Sequence, residues 1–152
     1  MFWGTVCQSV SMPWKHGMYA VAGYSAHKRA IKACGGNAQD LAVGMLEGPL
    51  TGTGYPYGDN KKGDAANFGI FKQNWWMIRQ SRSEWSHLGP NDYNTGKVLN
   101  TDVCMDVATL HKSQQHFGMD KWFTFHRAGS SGHPTDKTVV QYRYSIELIF
   151  KN

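Results

Sequence analysis

Cysteine is scarce in this 152-residue chain, with only Cys7, Cys34 and Cys104. Three cysteines are too few for a disulfide scaffold, and their spacing is not that of a metal site. Acidic residues are also few, 11 against 16 Lys and Arg, which leaves a net charge of +5. No apolar run approaches the roughly 18 residues of a membrane span. No basic stretch followed by an apolar one opens the chain, so no secretion signal is read there. There is no G-x-S-x-G elbow, no P-loop, no G-x-G-x-x-G and no H-E-x-x-H. The Asp59–Asp64 segment has a superficial calcium-loop look. Its third and fifth positions are Lys61 and Gly63, where oxygen ligands are needed. No metal and no cofactor are therefore expected.

What is present is globular. Hydrophobic residues make up 41% and aromatics 13%. Charged residues are 18%, below the usual quarter or so. The length suits a single domain burying roughly two thirds of its unfolded surface. A pI near 9.2 invites a nucleic-acid partner, but the basic clusters are thin: Lys28, Arg29 and Lys32, then Lys61-Lys62. A solvated basic face is the better reading, and neither nucleic acid nor membrane is expected as a partner.

The pattern along the chain predicts helices with one small β insertion. Ser25 is read as the N-cap of a helix to Cys34, stopped by Gly35-Gly36. Asn37 caps a second, apolar helix from Ala38 to Glu47, ended by Gly48-Pro49. Residues 50–71, rich in Gly, Thr, Tyr and Asn, read as short strands and tight turns. A helix resumes over Gln73–Gln80, and a polar loop covers 81–99. Asn100 is expected to cap a helix ending at Phe117, with Val103, Val107 and Leu110 on one stripe and Gly118 as the stop. A short helix covers Lys121–Arg127. The last helix begins at Thr135 or Asp136, with Val140, Tyr144 and Leu148 recurring every four residues and Ile146 and Ile149 alongside. This is an α+β class with segregated elements. Cys34 ends one helix and Cys104 lies in another, so a bridge between them is the preferred pairing, leaving Cys7 over.

So few acids can be weighed singly. Asp40, Asp102, Asp120 and Asp136 are first-turn or cap residues. Asp106 lies four residues after Asp102, on a face read as exposed. Glu147 is read as an i,i+4 partner of Arg143. Glu84 and Asp92 sit in the polar loop. Glu47 differs, because it closes an apolar helix where burial and the helix dipole both oppose a negative charge. A general acid needs that environment. An Asp on the following hairpin, Asp59 or Asp64, would face it across a cleft. A dry acid opposite a wet carboxylate is the pair that glycoside hydrolysis uses. The aromatics agree, since sugar rings stack on Trp and Tyr. Tyr55, Tyr57, Phe68, Trp75, Trp76 and Trp122 cluster in and after the insertion, some of them as core. His126, beside Trp122 and Arg127, is the histidine best placed to touch a ligand.

The stretch YPYGDNKKGDAANFGIFKQNWWMIR (Tyr55 to Arg79) resembles the central signature of the endo-β-1,4-mannanases of glycoside hydrolase family 134. The segments AVGMLE (Ala42 to Glu47) and WFTFHR (Trp122 to Arg127) fit the same family, closest to its fungal, Rhizopus-type members. The resemblance covers nearly the whole chain. It implies a lysozyme-like α+β fold, with the β insertion forming one side of the cleft. It also implies inverting hydrolysis of internal β-1,4-mannosidic bonds in mannan and mannooligosaccharides, by a secreted enzyme expected to be monomeric. Glu47 takes the place of the family's general acid. Asp59, twelve residues on, takes that of the general base, a choice the residues alone leave open. Tyr57, Asp64, Asn67, Gln73, Asn74, Trp75, Trp122, His126 and Arg127 are candidates for binding or orienting the sugar. The alternatives are a muramidase on the same type of fold and a non-catalytic carbohydrate-binding protein.

Overall fold

A computed structural model describes residues 24–47 and 57–151. Its helices are α1 (Ser25–Ala33), α2 (Ala38–Glu47), α3 (Trp75–Ser81), α4 (Val103–Phe117), α5 (Met119–Ala128) and α6 (Lys137–Lys151). Strands β1 (Asn67–Phe68) and β2 (Gln73–Asn74) form an antiparallel hairpin, with Asn67 opposite Asn74 and Phe68 opposite Gln73. The fold is α+β and lysozyme-like: mostly helical, with one small sheet among the described residues.

Local chemistry explains the helix ends. The Asp40 carboxylate accepts from Asn37 N (2.8 Å), and Asn37 Oδ1 accepts from Asp40 N (2.9 Å). This reciprocal capping box fixes the start of α2. Asp40 is fully buried and also meets His111 Nε2 at 2.6 Å, which ties α2 to α4. The Cys34–Cys104 disulfide, spanning 70 residues, ties α1 to the same helix. Gly118 ends α4 with φ +77°, a conformation that L side chains resist.

Several expectations shift. Ser25 is the first helical residue rather than the cap, a position held by Tyr24 without a side-chain cap bond. Of the expected β insertion, residues 50–56 lie outside the described residues. The remainder is two 3-10 turns, Tyr57–Asn60 and Gly63–Ala65, and the hairpin runs on to Asn74. Gln73 and Asn74 are thus strand residues. Asn74 also caps α3, its Oδ1 accepting from Met77 N at 2.9 Å. The expected polar loop winds instead into 3-10 segments, Ser83–Trp85 and Pro90–Asn100, the second kinked at Asp92. Asp102, not Asn100, caps α4, accepting from Met105 N at 2.9 Å. Asn100 Oδ1 accepts from Gly69 N in the hairpin turn instead, at 2.8 Å.

On α6 the inward stripe is Val139, Tyr142, Ile146 and Ile149, whereas Val140 and Tyr144 are exposed. One residue step rotates a helix by about 100°, so choosing the neighbouring stripe turned the face outward. Arg143 pairs with Asp120 on α5 at 2.5 Å and lies over the Phe123 ring. Asp106 is fully buried rather than exposed.

Two apolar clusters flank the hairpin. One joins Ile31, Val43, Leu46, Phe71, Met77, Leu110, Trp122, Tyr142 and Ile146. The other, beneath the 3-10 segments, joins Ala66, Phe68, Trp75, Ile78, Trp85 and Leu99. The hairpin turn therefore sits with both of its ends fixed in packed material, and it can hold a side chain precisely.

Candidate active site

Glu47 is the last residue of α2 and is 1% exposed. His126 Nε2 lies 2.9 Å from its Oε1, and Tyr142 OH donates to the same oxygen at 2.9 Å. Oε2 has no hydrogen bond among the described residues. His126 is itself fixed by stacking on Trp122, with ring centroids 4.6 Å apart and planes 12° from parallel. Its Nδ1 is buried with no hydrogen-bond partner in the described structure. The side chain of Glu47 is thus dry and oriented by groups from α5 and α6.

Asp59 lies in the 3-10 turn Tyr57–Asn60 and is about a quarter exposed (26%). Asn67 Nδ2 donates to its Oδ2 at 2.9 Å, and Lys72 Nζ donates to its Oδ1 at 3.0 Å. Lys72 is only 4% exposed. Burial pushes its ammonium below the usual lysine range, and the attraction of Asp59, then of Glu47, opposes that push. Asp59 and Lys72 also share left-handed backbone, at φ +55° and +52°. Such conformations are unfavourable for residues other than Gly, Asn and Asp, and they gather at functional sites.

The turn presenting Lys72 is held from beneath. Asp106 on α4 accepts from Ile70 N at 2.7 Å and from Gln73 Nε2 at 2.7 Å. Burial raises the Asp106 carboxyl to about 8, although the bonds from Gln73, Ile70 and Phe71 favour its ionised form. Gly69, at φ +78°, passes directly over it: a Cβ there would lie 2.3 Å from the carboxylate oxygens, so no side chain fits.

A cleft of about 430 Å³ opens beside these groups, lined by Lys61, Asp64, Asn67, Asn74, Trp76, His126, Arg127 and the 128–131 loop. Glu47 and Asp59 reach its wall through His126 and Asn67, their respective hydrogen-bond partners. Of the expected binding residues, Asp64, Asn67, Asn74, His126 and Arg127 come together here. Asp64 is held by Arg79 through two bonds, 2.8 and 2.9 Å. Gln73, Trp75 and Trp122 do not line the cleft. Gln73 is spent on Asp106, and the two tryptophans are core, at 0% and 1% exposure. Trp76, the neighbour of Trp75, is the tryptophan on the cleft wall, braced by Phe117 and Phe125. The Tyr57 side chain lies outside the described residues.

Sequence reasoning missed Lys72, Tyr142 and Asp106. Two carried a signal. Asp106 sits three residues after Val103 and four before Leu110, inside the apolar stripe of α4. Tyr142 sits likewise between Val139 and Ile146. Lys72 had none, because its burial follows from the hairpin turn and not from periodicity.

The site thus holds a dry carboxyl, Glu47, and a partly exposed one, Asp59, each hydrogen-bonded to a residue of the cleft wall. Residues 25–152 match the sequence model of a family described as glycosyl hydrolase family 134. No curated protein matches the chain.

Proposed function

The chain belongs to glycosyl hydrolase family 134, and from that premise we propose that it is an endo-acting β-1,4-mannanase that inverts the anomeric carbon. The observation that carries the reading is the contrast between its two carboxyl groups. Glu47 is dry and closes a helix; Asp59 is partly wet and rests against Lys72. In the proposed step Asp59 takes a proton from water as that water attacks the anomeric carbon. Glu47 gives its proton to the departing glycosidic oxygen on the opposite face. Inverting pairs stand about 6.5–9.5 Å apart so that the water fits between them.

Within the cleft, Asn67, Asn74 and Arg127 offer hydrogen bonds to hydroxyls, and Trp76 offers a flat face to a sugar ring. A neutral linear mannan is the proposed substrate, handled by one catalytic domain acting as a monomer. The Cys34–Cys104 bridge supports a secreted setting, because disulfides persist in oxidising compartments. The likeness to fungal members belongs to the same proposal.

The test is release of reducing ends from linear β-1,4-mannan by purified protein, with peptidoglycan as the parallel substrate. Glu47→Gln and Asp59→Asn are each expected to lower the rate by at least about 10², the lower end for an acid–base group. Cleavage of peptidoglycan alone would make it a muramidase. Binding without cleavage would make it a carbohydrate-binding protein.

A further inference from the structure

We propose that Lys72 is the positioning residue of this acid–base pair, a buried ammonium that holds Asp59 as the ionised base. The inference rests on the glycosidase reading above and adds a residue and a role to it.

Turnover moves charge between the two carboxyl groups. A proton passes from the attacking water to Asp59, which becomes neutral. Another passes from Glu47 to the glycosidic oxygen, so Glu47 becomes the anion. The C–O bond to the leaving sugar breaks as the bond from water forms. One negative charge has thus moved from the Asp59 side to the Glu47 side, and Lys72 neither gains nor loses a proton. A cation bonded to Asp59 stabilises the charge where it stands before the reaction. Lys72 Nζ bonds Asp59 directly, at 3.0 Å. The ammonium therefore favours the ionised Asp59 that a general base needs before the reaction.

A purely structural ion pair accounts for the geometry less well. The turn is already anchored by Asp106 on Ile70 N and Gln73, and by Asn100 on Gly69 N. Removing the Lys72 bond leaves those anchors in place. Nevertheless the chain buries this ammonium and accepts left-handed backbone at Lys72 to aim it, and buried charges are unfavourable unless paired. Among the described residues, the charged groups that act on it include Asp59 from the 3-10 turn and Glu47 from α2. Behind Glu47 stand His126 from α5 and Tyr142 from α6, and Asp106 from α4 holds the turn's backbone.

The experiment compares wild type, Lys72→Met and Lys72→Arg in three measurements: kcat and KM against pH on mannooligosaccharides, thermal midpoint, and carboxyl-carbon NMR titration of Asp59. Lys72→Met is expected to lower kcat 10- to 100-fold with KM within about threefold. Its acid limb should rise by about one pH unit, with the Asp59 titration rising equally. Lys72→Arg keeps the charge and should return both limb and titration to within a few tenths of a unit of wild type. An unmoved limb and an unmoved Asp59 titration in Lys72→Met, with only the thermal midpoint lowered, would overturn the proposal in favour of a structural ion pair. Failure of the glycosidase reading looks different: wild type itself releases no reducing ends, whatever the variants do.

Discussion

Asp106 gives the sharpest quantitative prediction outside the chemistry itself. Its carboxyl is fully buried, and burial raises it to about 8, whereas an unfolded chain leaves it near 3.8. Between those limits the folded protein holds one proton more than the unfolded chain. Stability from this group is therefore fully present below about pH 4 and is lost as pH rises toward 8. From pH 5 to pH 7 the loss is about 3 kcal/mol, a large share of a typical total of about 5–15 kcal/mol. Asp106→Asn keeps the shape and removes the titration. Its amide also sets one N–H against the donors from Gln73 or Ile70, a penalty that does not change with pH. Urea unfolding at pH 5, 6 and 7 measures both proteins. The difference in unfolding free energy, wild type minus Asp106→Asn, should fall by about 3 kcal/mol across that range. Taking the difference cancels the other titrating groups. A flat difference would show that Asp106 is ionised in the folded protein at pH 5, and the burial argument would be wrong.

Three further outcomes follow from the packing. The Cys34–Cys104 bridge closes a 70-residue separation, so replacing both cysteines by Ser should lower stability by up to about 4 kcal/mol, read by denaturant unfolding. Trp76→Ala should weaken mannooligosaccharide binding about tenfold in calorimetry, whereas Trp75→Ala should instead destabilise the fold by roughly 3–5 kcal/mol. The reverse pattern would exchange their roles. Arg79→Met breaks a two-bond pair with Asp64 and should lower stability by roughly 1–3 kcal/mol, measured by the shift in urea midpoint.

Features set by local chemistry could be read from the residues. Asn37 before an apolar run, Gly118 after one, and Glu47 at a buried helix end each have a position that a few neighbours define. The structure places all three as expected. The Cys34–Cys104 bridge was legible because each cysteine has a definite helical position. What was not legible depends on rotation or on distant contacts. Val140 and Val139 differ by one step, yet only Val139 faces the core, and adjacent apolar stripes on α6 are hard to rank without the partner helices. Asp106, four residues after Asp102, reads as exposed, although its spacing from Val103 and Leu110 places it inward. Trp75 and Trp76 are chemically alike, and only the start of α3 at Trp75 decides which one reaches the cleft. Lys72 is a charged residue on a turn, and no local pattern marks it for burial. Asp106, 36 residues beyond Ile70 in the chain but hydrogen-bonded to its N–H in the fold, draws that turn inward.

The central claim is that Glu47 and Asp59 act as acid and base in a single inverting displacement. The most direct measurement is proton NMR of a fresh mannooligosaccharide digest, recorded before the product anomers equilibrate. Inversion predicts that the α-anomer of the new reducing end appears first. First appearance of the β-anomer would contradict the account.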